Sequence, residues 1–251
     1  MIDHIGIDLR GKVAAVTNAG GAVGGSLSVV LAAAGARVVM LDGNKDAALG
    51  YTTHILDTGG VAKAYCCSET RCEDCIAAAK LSRADFGALN ILVNVMTKNE
   101  QYHKVKDMEE MLLAPELIRQ QYLSMLYPIY AYSPQMDSGA SIINVLPHGN
   151  DVIFERATAE LAVLLSEKGI RVNSIASNLI STYENRHLLY PDEGGVLLEA
   201  QRVSQKTPMG RLSQPEDIEG AVLFLASAKT SAFMTGETLR IDGGMRAGCA
   251  L

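Results

Sequence analysis

Short apolar runs rich in Val and Ile alternate, through the first hundred residues, with longer segments whose apolar residues recur at helical spacing. In order they are KVAAVT, SLSVVLAAAG, ARVVMLD, DAALGYTTHIL, VAKAYC, CEDCIAAAKLSRADFG and LNILVNVM. Runs that are apolar throughout read as strands buried on both faces, and such strands joined by helices run parallel with right-handed crossovers. The pattern predicts an α/β, doubly wound parallel sheet. The second half continues it, with SIINVLP, IRVNSIAS and TLRIDGG as strands and ERATAELAVLLSEKG and QPEDIEGAVLFLAS as helices. Ser213 and Glu216 stand at capping-box spacing ahead of the second of these helices, with Pro215 in its first turn. One long irregular stretch, residues 183–207, falls where a lid over the carboxyl edge of the sheet would sit.

A length of 251 residues fits a single domain, 1–251, better than two small ones. With 48% hydrophobic and 20% charged residues, the chain has enough apolar surface to exclude disorder. A net charge of -6, with Lys and Arg scattered, argues against nucleic acid and anionic membranes as partners. The opening MIDHIGIDLRGK lacks the apolar stretch of a secretory leader, and no apolar run reaches the length of a membrane span, so a cytoplasmic location is expected. Cys66, Cys67, Cys72 and Cys75 crowd one stretch, unlike a disulfide framework, and reduced thiols are expected. Their spacing raises a four-thiolate metal site or a redox role, but they straddle a strand end and a core helix, and no metal is expected.

The ending TPMGRLSQPEDIEGAVLFLASAKTSAFMTGETLRIDGGM resembles the C-terminal signature of the short-chain dehydrogenase/reductase family. LRGKVAAVT, ILVN and KGIRVNSIAS resemble that family's first, fourth and sixth strands, in the right order and spacing over nearly the whole chain. The resemblance implies a single-domain Rossmann fold and NAD as cofactor. It also implies tetrameric assembly through two long helices per subunit and through the C-terminal strand and helix. Tyrosines in QQYLSMLYPIYAYSP would belong to that helical interface.

Several positions depart from the family. Its first turn resembles T-G-x-x-x-G-x-G; here TNAGGAVG keeps Thr17 and Gly24 but places Asn18 and Ala22 at the other glycines. Asn tolerates a positive φ, whereas Ala22 sets a methyl group where a cofactor's phosphates approach the helix, although Gly20, Gly21 and Gly25 leave the loop room to re-form. Asp42 fits the acidic residue that hydrogen-bonds the adenine ribose and favours NAD over NADP; a solvated strand-end Asp explains it equally well. Cys66 replaces an Asp that touches adenine, Asn94-Val95-Met96-Thr97 replaces Asn-Asn-Ala-Gly, and Ser177-Asn178 replaces Pro-Gly. Ile180 and Thr182 still match positions on the nicotinamide side. The vestigial cofactor-binding set is Thr17, Gly24, Asp42, Asn94, Ile180 and Thr182, and no tightly bound NAD is expected.

The catalytic residues fare worse. The family's Ser positions a carbonyl, and its Tyr-x-x-x-Lys on a helix sets a phenol, whose reference pKa is about 10, beside a cation that makes it a useful acid. Counting back from Gly169 puts the Tyr at Pro147 and the Lys at Asp151, while counting forward from Asn144 puts the Ser at Pro147 too. Two positions falling on one residue mean a deletion, with LPHGND left in place of the catalytic segment. A family helix Asn falls near Gln121. Tyr102 and Lys106 have the right spacing in the wrong segment; His148, close to the lost Ser, is the best single candidate for a general base, though a lone histidine in a short loop is more simply a surface residue. No catalytic residue is assigned.

Eroded chemistry beside intact assembly surfaces implies a non-catalytic subunit that supports an active NAD-dependent homologue in a heterotetramer. Degenerate subunits of this kind occur in anaerobic aromatic (toluene) degradation, to which a thiol-rich chain is suited. The alternatives are a homo-oligomeric enzyme of non-hydride chemistry (dehalogenase, dehydratase or isomerase), a divergent NAD-dependent oxidoreductase, or an NAD sensor.

Overall fold

The computed structural model describes residues 6–96, 108–146, 151–185, 189 and 198–248. Seven strands form one parallel sheet in the order β3-β2-β1-β4-β5-β6-β7. They are β1 (Val13–Thr17), β2 (Arg37–Asp42), β3 (Val61–Cys66), β4 (Leu89–Val95), β5 (Met136–Leu146), β6 (Arg171–Ser177) and β7 (Thr238–Ile241). Their connections carry α1 (Ala22–Ala33), α2 (Leu49–Asp57), α3 (Cys72–Phe86), α4 (Met108–Tyr132), α5 (Asp151–Ser166), α6 (Leu198–Lys206), α7 (Pro215–Ala226) and α8 (Ala228–Ser231). A short α9 (Met245–Gly248) follows β7. The doubly wound sheet is thus as expected.

Alternation along each strand divides the core into two layers. Val13 and Ala15 of β1 point toward α3, α4 and α5, packing with Cys75, Met125, Ile129 and Phe154. Ala14 and Val16 point the other way, toward Leu27 and Leu31 of α1, Ile55 of α2 and Val222 of α7. β1, β2, β4 and β6 bury both faces, which is why the sequence shows continuous apolar runs there, whereas β3 at the sheet edge leaves Val61, Lys63 and Cys66 exposed. No described helix is long and apolar enough to cross a membrane.

Three expectations need correction. β5 begins at Met136, five residues ahead of the apolar run, because Met136 pairs with Leu89 before a register shift restores Ser141 opposite Ile91. The stretch 183–207 contains α6, whose Ala200 and Val203 bury against Leu189 and Leu212. At α7 the cap is Gln214, not Ser213: the Gln214 N–H donates to Asp217 Oδ2 at 2.8 Å. Arg211 holds the same carboxylate through both oxygens, at 2.6 and 2.7 Å. The Ser213 hydroxyl instead faces Asn178, donating to its Oδ1.

Candidate functional site

The loop between β1 and α1 is built around a left-handed residue. Asn18 has φ 50°, the only positive φ outside glycine among the described residues, and its Nδ2 donates to the Val95 carbonyl at 2.5 Å. Thr17 Oγ1 accepts the Val95 N–H at 2.9 Å, so these two residues fasten the end of β1 to the end of β4. The turn at Asn18 aims its carbonyl at α1, where a Cβ on Gly24 would lie 2.1 Å from Asn18 O. Gly24 therefore permits close packing of helix on loop, the role expected of the fingerprint's last glycine.

Asp42, at the end of β2, uses both carboxylate oxygens within the chain. Oδ2 accepts the Gly20 N–H at 2.8 Å and Oδ1 accepts the Asn44 N–H at 2.8 Å. Ala22 opens α1, and its N–H donates at 2.7 Å to Glu184 Oε1, which comes from the segment beyond β6. Ile180 forms a bridge to Ser213, and Thr182 forms a reciprocal turn with Asn185: Thr182 N–H to Asn185 Oδ1 at 2.8 Å, Asn185 N–H to Thr182 Oγ1 at 3.3 Å. Glu69, just beyond β3, lies near Asn18 and Asp42; burial and the Asp42 charge push its carboxyl up, against a hydrogen bond from Asn18.

The six positions expected to contact a cofactor thus fall into two groups. Thr17, Gly24, Asp42, Ile180 and Thr182 lie on the segments that frame the start of α1. Asn94 does not join them: fully buried, its Nδ2 donates to Asn144 Oδ1 at 3.0 Å, and Asn144 Nδ2 donates to Thr158 Oγ1 at 3.1 Å. Asn178 is also buried, a clasp between β6 and the approach to α7. Its Nδ2 donates to Thr207 Oγ1 at 3.1 Å, and its Oδ1 accepts the Ser213 N–H at 2.8 Å.

A pyrophosphate needs free N–H groups at the start of α1. Here the Gly20 and Ala22 N–H groups already serve carboxylates, Ala22 carries a methyl group, and Asp42, Glu69 and Glu184 bring negative charge. In this arrangement the residues present do not fit a dinucleotide's phosphates. An open groove of about 1050 Å³ runs beside α1, lined by Ala22, Tyr51, His54, Tyr183, Glu216 and Glu219 among others. It lies against α1, α2, α7 and residues 181–183 beyond β6.

At that edge β5 ends at Leu146 and α5 begins at Asp151, so four residues join them. Pro147 and His148 lie outside the described residues, as do Tyr102, Lys106 and the Asp151 side chain. Behind the edge, Asn94, Asn144, Thr158 and Gln121 are neutral amides and a hydroxyl, none of which exchanges a proton near neutrality. Gln121, 4% exposed, leaves both amide atoms without a partner, as does Asn94 Oδ1. The cysteines do not gather: Cys67 and Cys75 are buried 3.8 Å apart, Cys66 is exposed, and no described group of three or more His, Cys, Asp or Glu could hold a metal. Sequence reasoning missed Glu184, Glu69 and the clasp at Asn178, whose partners are distant in the chain.

Residues 20–246 match the family model described as enoyl-(acyl carrier protein) reductase. An uncharacterized oxidoreductase of Haemophilus influenzae is 30% identical over 270 residues, covering 96% of this chain and 95% of its own. The 7alpha-hydroxysteroid dehydrogenase of Escherichia coli is 30% identical over 259 residues, covering 97% and 98%. Both alignments are longer than the chain itself, so each relative has residues with no counterpart here. A solved structure of a putative D-mannonate oxidoreductase from Haemophilus influenzae, with bound NAD, superposes with a TM-score of 0.84 at 30% identity and covers 96% of each chain. Fold, strand order and relatives agree that the chain belongs to the short-chain dehydrogenase/reductase family of oxidoreductases.

Proposed function

We propose that this chain is a non-catalytic subunit that assembles with a catalytically complete, NAD-dependent homologue in the cytoplasm. The observation that carries the reading is the four-residue connection from β5 to α5. It has no length for a Ser, a Tyr and a Lys one helical turn later, and the polar groups behind it are neutral. Apolar side chains support the assembly: Val163 and Leu164 of α5 are 75% and 71% exposed, and Val152, Ile153 and Tyr130 are exposed on α5 and α4. These are the two helices through which the family resemblance implies pairing, and a partner would remove that surface from water. The pattern of loss resembles the degenerate subunit of the 2-[hydroxy(phenyl)methyl]succinyl-CoA dehydrogenase of anaerobic toluene breakdown. The reading therefore names the partner's class, a hydroxyacyl-type dehydrogenase subunit, and not its substrate.

A divergent NAD-dependent oxidoreductase is the second reading, favoured by Asp42 at the end of β2 and by relatives that are dehydrogenases. Reconstitution separates the two. The chain purified alone should transfer no hydride to or from NAD, and adding it to the homologous dehydrogenase of its source should raise that enzyme's activity. Hydride transfer by the chain alone would establish the second reading and end the first.

A further inference from the structure

We propose that Glu184 is an internal occupant of the α1 N-terminus, a carboxylate that excludes phosphate-bearing ligands from it. The inference does not depend on the identity of any partner. α1 has twelve residues, and the N–H groups of its first turn have no acceptor within the helix while the helix dipole favours an anion there. Ala22 is the first of those residues, and Glu184 Oε1 meets its N–H at 2.7 Å, the length of a charge-assisted hydrogen bond. The contact thus supplies what a phosphate oxygen would supply at this position.

Glu184 is delivered by a built turn rather than by a loose side chain. Asn185 donates its Nδ2 to the Ile180 carbonyl at 2.8 Å, in addition to its two bonds with Thr182. Ile180 is tied to Ser213, and Ser213 to the buried Asn178, so the turn hangs from the end of β6 by a continuous hydrogen-bonded chain. A phosphate arriving at α1 would have to displace Glu184 from Ala22 and then lie beside Asp42, which holds the Gly20 N–H, and near Glu69. Each step sets like charges together or strips a donor from its acceptor.

The test is calorimetric titration of ADP into the full-length chain at fixed ionic strength, for the wild type, Glu184→Ala, Glu184→Gln and Ala22→Gly. Glu184→Ala should bind ADP about two- to fivefold more tightly than wild type, from the usual size of an exposed carboxylate's interaction with a helix N-terminus. Glu184→Gln keeps an acceptor oxygen without the charge and should fall between them, while Ala22→Gly should stay at the wild-type affinity. Matching melting temperatures would show that all four are folded, since Glu184 is exposed. Equal ADP affinity in Glu184→Ala and wild type would overturn the proposal. So would a gain produced by Ala22→Gly alone, which would make the Ala22 methyl group the barrier. A homo-oligomer found in the native source would refute the subunit reading and leave this result unaffected.

Discussion

Asn178 is predicted to carry an unusual share of the stability for one polar residue, and Asn178→Ala measures it. The side chain is 2% exposed and holds four groups: the Ser213 N–H and hydroxyl donate to Oδ1, while Nδ2 donates to Thr207 Oγ1 at 3.1 Å and to the Asp242 carbonyl at 3.4 Å. Truncation leaves two donors of Ser213, itself 5% exposed, without an acceptor. A buried orphaned donor costs about 1–3 kcal/mol. Thr207 loses less, because its hydroxyl still donates to the Val203 carbonyl at 2.7 Å, and the bond to Asp242 is long. The sum is about 3 kcal/mol, which in a domain of this size lowers the melting temperature by about 6–12 °C. Asn178→Asp keeps the acceptor for Ser213 and loses the donor, but it also buries a charge, so it should not rescue the loss. Urea unfolding followed by circular dichroism is the assay. A loss below about 1 kcal/mol in Asn178→Ala would show that water or rearrangement replaces the clasp, and the account of how the turn bearing Glu184 is hung would fail.

Three further outcomes follow from packing and burial. Gly24→Ala should be severely destabilising, by about 3 kcal/mol or more, because its Cβ would meet a backbone carbonyl at 2.1 Å that cannot move without unwinding the turn at Asn18. Gly50→Ala in α2 meets nothing within 4 Å and should stabilise by about 0.5–1 kcal/mol; thermal melts that ranked the two alike would contradict this geometry. Burial raises the Glu69 pKa above its ordinary 4.5, so the folded state binds more protons than the unfolded one and loses stability as pH climbs through that range. Glu69→Gln should therefore melt above wild type at pH 7, with the difference shrinking toward pH 4, and a difference independent of pH would refute the burial argument.

The sheet was legible because its central strands are apolar on both faces, so Val13–Thr17 or Arg171–Ser177 needed no partner to be recognised. The start of β5 was not, since Asp137, Ser138 and Gly139 are exposed and belong to the strand only through pairing at Met136. Among the described side chains α6 offers two buried anchors, Ala200 and Val203, too few to mark a helix inside a long polar stretch. At α7, Ser213 with Glu216 and Gln214 with Asp217 both have capping spacing, and the choice is made by Asn178, 35 residues away. The shortness of the β5–α5 connection could be counted from two fixed ends, Asn144 and Gly169. The occupant of the cofactor loop could not: Glu184 meets Ala22 across 162 residues, and no local pattern announces such a contact.

Native mass spectrometry of the complex isolated from its own source, without overexpression, tests the central claim most directly. The account predicts a mass made of this chain together with a second family member that carries the family's Ser, Tyr and Lys. A complex built from copies of this chain alone would contradict it.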